Sequence, residues 1–317
     1  MIDFADDPRT PTEPGLLVGD PAFGLEPLVL PPVHDDFTSD GHSDAAFTSS
    51  CLELLESISE GPDRGTSGSP IADDVFWFRW ITGHQVSFIV WRLASQCLDH
   101  ETTDAGNDKA TAHRLASYVR AYAAMLLYTG SCPVTVYHRL IRPTMRRQHP
   151  AFSGSWAPDF QPVRPLFRMR KVPSFDGGGV EVAEALRMQD ATHDCIAARL
   201  VPDGKSLLRQ STVPPPANSR LTGMFYDTYF LTVRDGISRQ DVAAQLVRRV
   251  VAICRDVHRH GLTAPADDPP TPSREPISDL VADCADNFHG ILLDAARAAL
   301  FVPELDPVST GTSAPQP

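Results

Sequence analysis

Two histidines in helical stretches are the residues best placed to do chemistry. In Val75-Phe-Trp-Phe-Arg-Trp-Ile-Thr-Gly-His84-Gln-Val-Ser-Phe-Ile-Val-Trp91, the residues Trp77, Trp80, His84, Phe88 and Trp91 recur at intervals of three or four and so share one helical face. That face is almost wholly aromatic, with one titratable nitrogen in it. In Glu184-Ala-Leu-Arg-Met-Gln-Asp-Ala-Thr-His193-Asp-Cys-Ile-Ala-Ala-Arg-Leu200, the residues Leu186, Gln189, His193, Ala197 and Leu200 share another. Two imidazoles on opposite helices, facing a flat apolar space, suit a haem, with one nitrogen on the iron and the other held off it. The same spacing also fits two buried helices whose histidines are merely hydrogen-bonded core residues, and periodicity does not separate these readings.

Other candidates are weaker on geometry. Cys195 offers a thiolate of the kind that ligates haem in some monooxygenases. It lies two residues from His193, about 200° around a helix, so both cannot face one iron. A cysteine there also reads as a small buried hydrophobe. His258 and His260 diverge on a late helix and lack an evident third ligand for a metal. Arg139, Arg142, Arg146 and Arg147 crowd one segment, where a guanidinium can hold a carboxylate through two hydrogen bonds or simply form a solvated face. Tyr226 and Tyr229 can reach a pocket from a later segment or serve as packing.

The elements that must position these groups follow from the pattern along the chain. Residues 1–45, rich in Pro, Asp, Gly and Thr, read as a poorly ordered arm able to pack across a neighbour, with Leu28-Val-Leu-Pro-Pro-Val its one apolar run. A short amphipathic helix is predicted over 46–59 and a glycine-rich linker over 60–70. Asp73 and Asp74 cap the helix that carries His84. Periodicity predicts a helix over 112–128, stopped by Thr129-Gly130. A further helix is predicted over 134–148, which Pro143 either kinks or restarts. His149 to Phe175 reads as a long loop of functional character, and 201–219 as another. Met224 to Val233 reads as a strand or a short helical turn. Ser238-Arg-Gln-Asp241 is a capping box opening a helix to about His260, and 279–301 is the last helix. The expectation is an all-α protein: a helical domain over 46–301 with long loops, flanked by the arm and by a disordered tail over 302–317.

Composition narrows the function. A net charge of −12 disfavours a nucleic-acid groove or an anionic membrane as partner. No run of roughly eighteen apolar residues is present to span a bilayer. The first residues, Met-Ile-Asp-Phe-Ala-Asp-Asp, lack the pattern of a signal peptide, so a cytoplasmic location is expected. The six cysteines have no CxxC spacing and read as free thiols in a reducing compartment.

Three motifs carry a family resemblance. His84-Gln85 followed by Val90-Trp91-Arg92-Leu93 resembles the His-Gln-x-x-Glu-Leu-Trp-Phe-Lys stretch of tryptophan 2,3-dioxygenase. Arg146-Arg-Gln-His-Pro-Ala-Phe-Ser153-Gly154 is similar to that family's Arg-x-x-x-x-Pro-Ala-Ser-Gly segment, and His193-x-x-x-Ala-x-Arg199-Leu200 resembles the start of its axial-ligand helix. The matches keep the family's order and gaps over about residues 75–200. Two features depart from it. Val201-Pro-Asp-Gly-Lys-Ser-Leu-Leu-Arg stands where the glycine- and serine-rich loop would be, and Gln189 replaces a tryptophan one turn before the axial histidine. Within the haem-dependent aromatic oxygenase superfamily, Tyr137 to Ala157 resembles most the histidine-ligated haem L-tyrosine hydroxylases.

The resemblance implies haem b with His193 as axial ligand of the iron and His84 on the distal side as the catalytic acid and base. It places Arg146 at the substrate's carboxylate, where Ser153 adds a hydroxyl; Arg142 or Arg139 would meet the haem propionates, and Trp80, one turn before His84 on the same face, would be a wall of the substrate pocket. The implied reaction is hydroxylation of L-tyrosine at C3 to L-DOPA with peroxide or oxygen, in secondary-metabolite biosynthesis, by a homodimer or homotetramer. An oxygenase acting on tryptophan, an indole or a substituted tyrosine, and a haem-binding sensor without turnover, stay open as alternatives.

Overall fold

The computed structural model describes residues 25–38, 45–59, 73–99, 108–172, 175, 178–201, 205–262 and 278–300. The first 24 residues, the 60–70 linker and the tail from 302 lie outside the described residues.

The described chain is mainly helical. After strand β1 (Leu28–Leu30) come α1 (Ala45–Ser59), α2 (Asp73–Asp99) and α3 (Asp108–Gly130). The next segment is α4 (Val134–Val136), a π-helical turn (Tyr137–Ile141) and α5 (Arg142–Gln148). A 3-10 turn (Gly154–Trp156) leads to α6 (Phe160–Met169) and α7 (Gly179–Leu200). Then follow α8 (Leu207–Gln210), α9 (Ser219–Tyr229), β2 (Thr232–Arg234), α10 (Arg239–His260), α11 (Asp279–Asp286) and α12 (Phe288–Leu300).

α2 is buried on nearly every side, as its mixture of aromatic and aliphatic residues requires. α3 lies against it antiparallel: Gly83 meets Thr129 and Tyr128 at one end, while Cys97 lies near Arg114 and Tyr118 at the other. A Cβ at Gly83 would sit 2.5 Å from Thr129 Cγ2, so the absence of a side chain lets the two helices close. α7 packs on α3 in the parallel sense, with Glu181 bonded to Arg120 and His113 near its start and Ile196 against Gly130 near its end. α10 packs on α2 and α12, and α12 in turn on α3.

One buried charge cluster ties α2, α3 and α10 together. Arg79 donates through Nε to Asp256 Oδ2 at 2.8 Å and through Nη1 to Ser131 Oγ at 2.8 Å; the Tyr128 hydroxyl donates to the same carboxylate at 2.8 Å. With every hydrogen-bonding atom directed at a partner, the pair's desolvation is offset.

Four sequence expectations change. Residues 25–38 are not a loose arm: Leu28 and Leu30 are fully buried within the chain's own core, because β1 pairs in parallel with β2, Leu28 opposite Thr232. Gln245 completes the free edge, its side-chain amide accepting from Val29 N and donating to Val29 O, both at 2.9 Å. Met224 to Val233 divides between the end of α9 and β2, separated by Leu231 with φ 53°. The segment 149–175 is not all loop but contains α6. The last helix breaks at Asn287, whose side-chain amide turns back to Asp283. Ser238 does cap α10 as its sequence predicts, accepting from Asp241 N at 3.1 Å, and Pro143 sits in the first turn of α5.

Candidate functional site

The spacing on α2 brings the rings together. The imidazole of His84 lies 4.3 Å from the Trp80 ring, centroid to centroid, and 6.4 Å from Phe88. Its Nδ1 is 2.6 Å from the Trp80 carbonyl oxygen one turn earlier, so Nδ1–H donates there. This bond fixes the neutral tautomer and leaves the lone pair on Nε2. Burial among aromatic rings pulls the His84 pKa down to about 4, against the opposing effect of the hydrogen bond to Trp80. His84 is therefore an unprotonated base throughout the neutral range.

The other wall of this site is formed by residues whose role the sequence does not reveal. Phe230 stacks on His84 at 4.4 Å with an interplanar angle of 17°. Its backbone is held by Gln85, whose Nε2 donates to the Phe230 carbonyl at 3.0 Å and to the Glu26 carbonyl at 3.1 Å; Arg249 Nε in turn donates to Gln85 Oε1 at 2.9 Å. The glutamine after the histidine thus positions the ring that covers the histidine. Leu231, left-handed at φ 53°, turns the chain from α9 into β2 directly behind that ring.

Around this pair stands a shell of aromatic residues. Tyr137 meets Trp80 at 6.1 Å, Trp77 meets Tyr229 edge-on at 6.0 Å, and Phe152 stacks on Tyr226 at 5.4 Å with its ring also 5.0 Å from Tyr229. The Tyr229 hydroxyl bonds Thr144 Oγ1 at 2.8 Å, and burial raises its pKa to about 12. A depression of about 290 Å³, lined by Asp73, Asp74, Trp77, Leu140 and Thr144, opens above Trp77. The buried indole N–H of Trp80 lies beside the Tyr229 hydroxyl without a well-aligned hydrogen bond.

The π-helical turn sets Arg142 beside Tyr137, with the guanidinium against the phenol. Pro143 has no N–H to give the helix, and the Arg142 N–H reaches back to the Tyr137 carbonyl. Tyr137 then faces Trp80, while Arg142 Nη2 donates to the Lys205 carbonyl at 3.2 Å and to Gln210 Oε1 at 2.8 Å. The segment 137–148 thereby bridges the His84 helix and the chain that follows α7.

His193 stands apart from the shell. Its side chain is 42% exposed on α7, with Nδ1 3.2 Å from Asp194 Oδ1. Nε2 has no partner among the described residues, and a carboxylate on Nδ1 is the arrangement that orients a metal-binding imidazole. No direct contact joins His193 to His84. Both nevertheless flank one turn of α3: Gly83 touches Thr129, Gly130 touches Ile196, and Arg199 donates to the Cys132 carbonyl at 3.1 Å. One turn before His193, the buried Oε1 of Gln189 is without a partner. The two imidazoles thus stand on separate helices, and the half-exposed His193, with Nε2 open and Nδ1 on a carboxylate, is the one whose chemistry suits an iron ligand.

The remaining sequence candidates divide clearly. Arg139 is paired with Asp73 at 2.7 Å on the surface. Arg146 is exposed and makes no hydrogen bond or ion pair with the described residues. Ser153 caps the 3-10 turn, its Oγ accepting from Ser155 N at 3.3 Å and lying 2.9 Å from Ser155 Oγ. Cys195 is a free, partly buried thiol. Among the described residues no group of three or more His, Cys, Asp or Glu side chains is arranged to hold a metal ion, and no helix is long and apolar enough to cross a membrane.

The fold and site define a mainly helical protein with a neutral histidine enclosed by aromatic rings, a setting suited to oxidative chemistry on an aromatic substrate. Residues 45–185 match the model of a family described as SfmD 3-methyl-L-tyrosine peroxygenase. The match supports a relation to tyrosine-modifying peroxygenases, which are oxidoreductases. It spans Trp80, His84, Arg142, Arg146 and Ser153 and stops before His193 and α9. No curated protein matches the chain.

Proposed function

We propose that the protein is a haem-dependent peroxygenase that hydroxylates L-tyrosine or a ring-substituted tyrosine ortho to its phenol, giving a catechol and water from the phenol and hydrogen peroxide. The observation that carries this reading is His84: neutral, with Nε2 free and Nδ1 tied to the Trp80 carbonyl, it lies inside an aromatic shell in the segment that matches the tyrosine peroxygenase family. Haem b held by His193 supplies, when bound, the iron at which peroxide is activated.

His84 Nε2 accepts a proton from hydrogen peroxide and returns it to the departing oxygen as water. Its low pKa makes the return step favourable, since the buried imidazolium is a strong acid. Trp80 and Phe230 hold the imidazole between them and limit water around it. Arg146, free of partners among the described residues, binds the substrate's carboxylate together with Ser153, and Arg142 takes the haem propionates. For L-tyrosine the product is L-DOPA. The printed family description makes 3-methyl-L-tyrosine the second substrate to test.

The test is an optical spectrum of protein produced with a haem precursor, followed by a peroxide assay for catechol. The expected results are a Soret band that L-tyrosine or 3-methyl-L-tyrosine perturbs and L-tryptophan does not, loss of haem in His193→Ala, and retained haem with little catechol in His84→Ala. A colourless protein, or normal haem content in His193→Ala, overturns the haem assignment. A response to tryptophan alone moves the activity to an indole.

A further inference from the structure

A second polar cluster lies at the far end of α2, thirteen residues beyond His84 and so about 20 Å along the helix. Tyr118 of α3 is 1% exposed, and its hydroxyl lies beside the Arg239 guanidinium without a well-aligned hydrogen bond. Two guanidiniums converge on it from different elements, Arg114 from α3 and Arg239 from the first turn of α10. Both lie close enough to pull down the pKa of Tyr118 and of buried Cys97, which burial pushes up more strongly. The Nε atoms of both arginines are buried and unpartnered.

What these cations do bond to is neutral. Arg114 Nη2 donates to Thr111 Oγ1 at 3.0 Å, and Arg239 Nη1 donates to Gln96 Oε1 at 3.0 Å. Neither forms an ion pair with a described residue. The nearest acid on α10, Asp241, accepts instead from the Ser238 hydroxyl at 2.9 Å. In a chain of net charge −12, two partly buried arginines without a counter-ion among the described residues are against expectation, because an uncompensated buried charge is costly. The start of α10 adds the positive end of a 22-residue helix at the same place.

We infer that Arg114, Arg239 and Tyr118 form a binding site for a small oxyanion, separate from the His84 site and independent of the tyrosine reading. Two Nε–H groups and one phenolic O–H require at least three acceptor lone pairs on a compact, negatively charged partner. Phosphate, free or as a monoester, has that chemistry; chloride offers the charge without the oxygens.

Inorganic phosphate is the probe. Thermal unfolding of the full chain is followed over increasing phosphate, with sodium chloride holding the ionic strength constant, and binding is measured by calorimetry. The expected result is a midpoint that rises with the logarithm of phosphate concentration, as binding to the folded state alone requires. Arg114→Gln and Arg239→Gln each weaken phosphate binding about tenfold or more, since each removes a charged donor. Tyr118→Phe, which keeps the ring and its packing, weakens it less. Glucose 6-phosphate binding with equal affinity assigns the site to phosphate monoesters as well as to the free ion. A phosphate effect no greater than that of chloride, or one unchanged in Tyr118→Phe and both arginine variants, overturns the site.

Discussion

Acid should destabilise this protein through His84. Its pKa falls from 6.5 to about 4 on folding, a difference of about 3.4 kcal/mol at 1.36 kcal/mol per unit. The folded imidazole takes up a proton less readily than the unfolded one, so between about pH 6.5 and pH 4 the unfolded chain binds more protons and stability falls as pH falls. At about pH 5 the loss amounts to roughly 2 kcal/mol, and it is absent above about pH 7. His84→Leu removes the titration and leaves an apolar side chain among Trp80, Phe88 and Phe230. Urea unfolding of both proteins near pH 7 and near pH 5 measures the effect as a difference of differences, in which other titrating groups cancel. The stability of the wild type relative to the variant should drop by about 2 kcal/mol between the two conditions. A gap independent of pH, or one that widens in favour of the wild type in acid, would show that His84 is solvated and that Phe230 does not cover it.

Two further perturbations test the frame that holds the site. Arg79→Met strips the buried Asp256 carboxylate of its cation and leaves only the Tyr128 hydroxyl on it, so the unfolding free energy should fall by about 3–5 kcal/mol in a denaturant titration. A loss under about 1 kcal/mol would mean that water replaces the guanidinium. Gly83→Ala puts a Cβ 2.5 Å from Thr129 Cγ2, and the Thr129 hydroxyl is already committed to the Met125 carbonyl at 2.8 Å. The expected cost is about 1–3 kcal/mol in thermal or urea unfolding; a neutral substitution would show that α2 and α3 are less closely packed at this turn.

Local rules reached a good part of the fold. The three- and four-residue spacing of Trp77, Trp80, His84, Phe88 and Trp91 was enough to put these rings on one face, because helical geometry alone fixes it. Ser238 and Asp241 declared the start of α10, since capping acts within one turn, while Pro143 marked a kink or a restart between which the structure chose the first turn of α5. The same reasoning could not divide Met224 to Val233. An aromatic, β-branched run of that length suits either element, and it was the pairing of Thr232 with Leu28, across some two hundred residues, that selected strand for its end. β1 itself was hidden for the same reason, its partner being too distant in sequence to predict.

The site shows the same division. Sequence alone supplied a histidine in an aromatic helix and, through the family resemblance, the expected roles of His193, Arg142, Arg146, Ser153 and Trp80. Tertiary structure decided what state the His84 nitrogen is in. Burial under Phe230, brought from a distant part of the chain and held through Gln85, which Arg249 fixes in turn, drives its pKa to about 4, and no local pattern encodes a desolvation that depends on which distant ring closes over it. It likewise set Arg142 on Lys205 and Gln210 while leaving Arg146 without a partner among the described residues, although the two stand four residues apart on one short helix. A side chain's type and its helical face are properties of the sequence; its counter-ion and its access to water depend on elements that only the folded chain brings beside it.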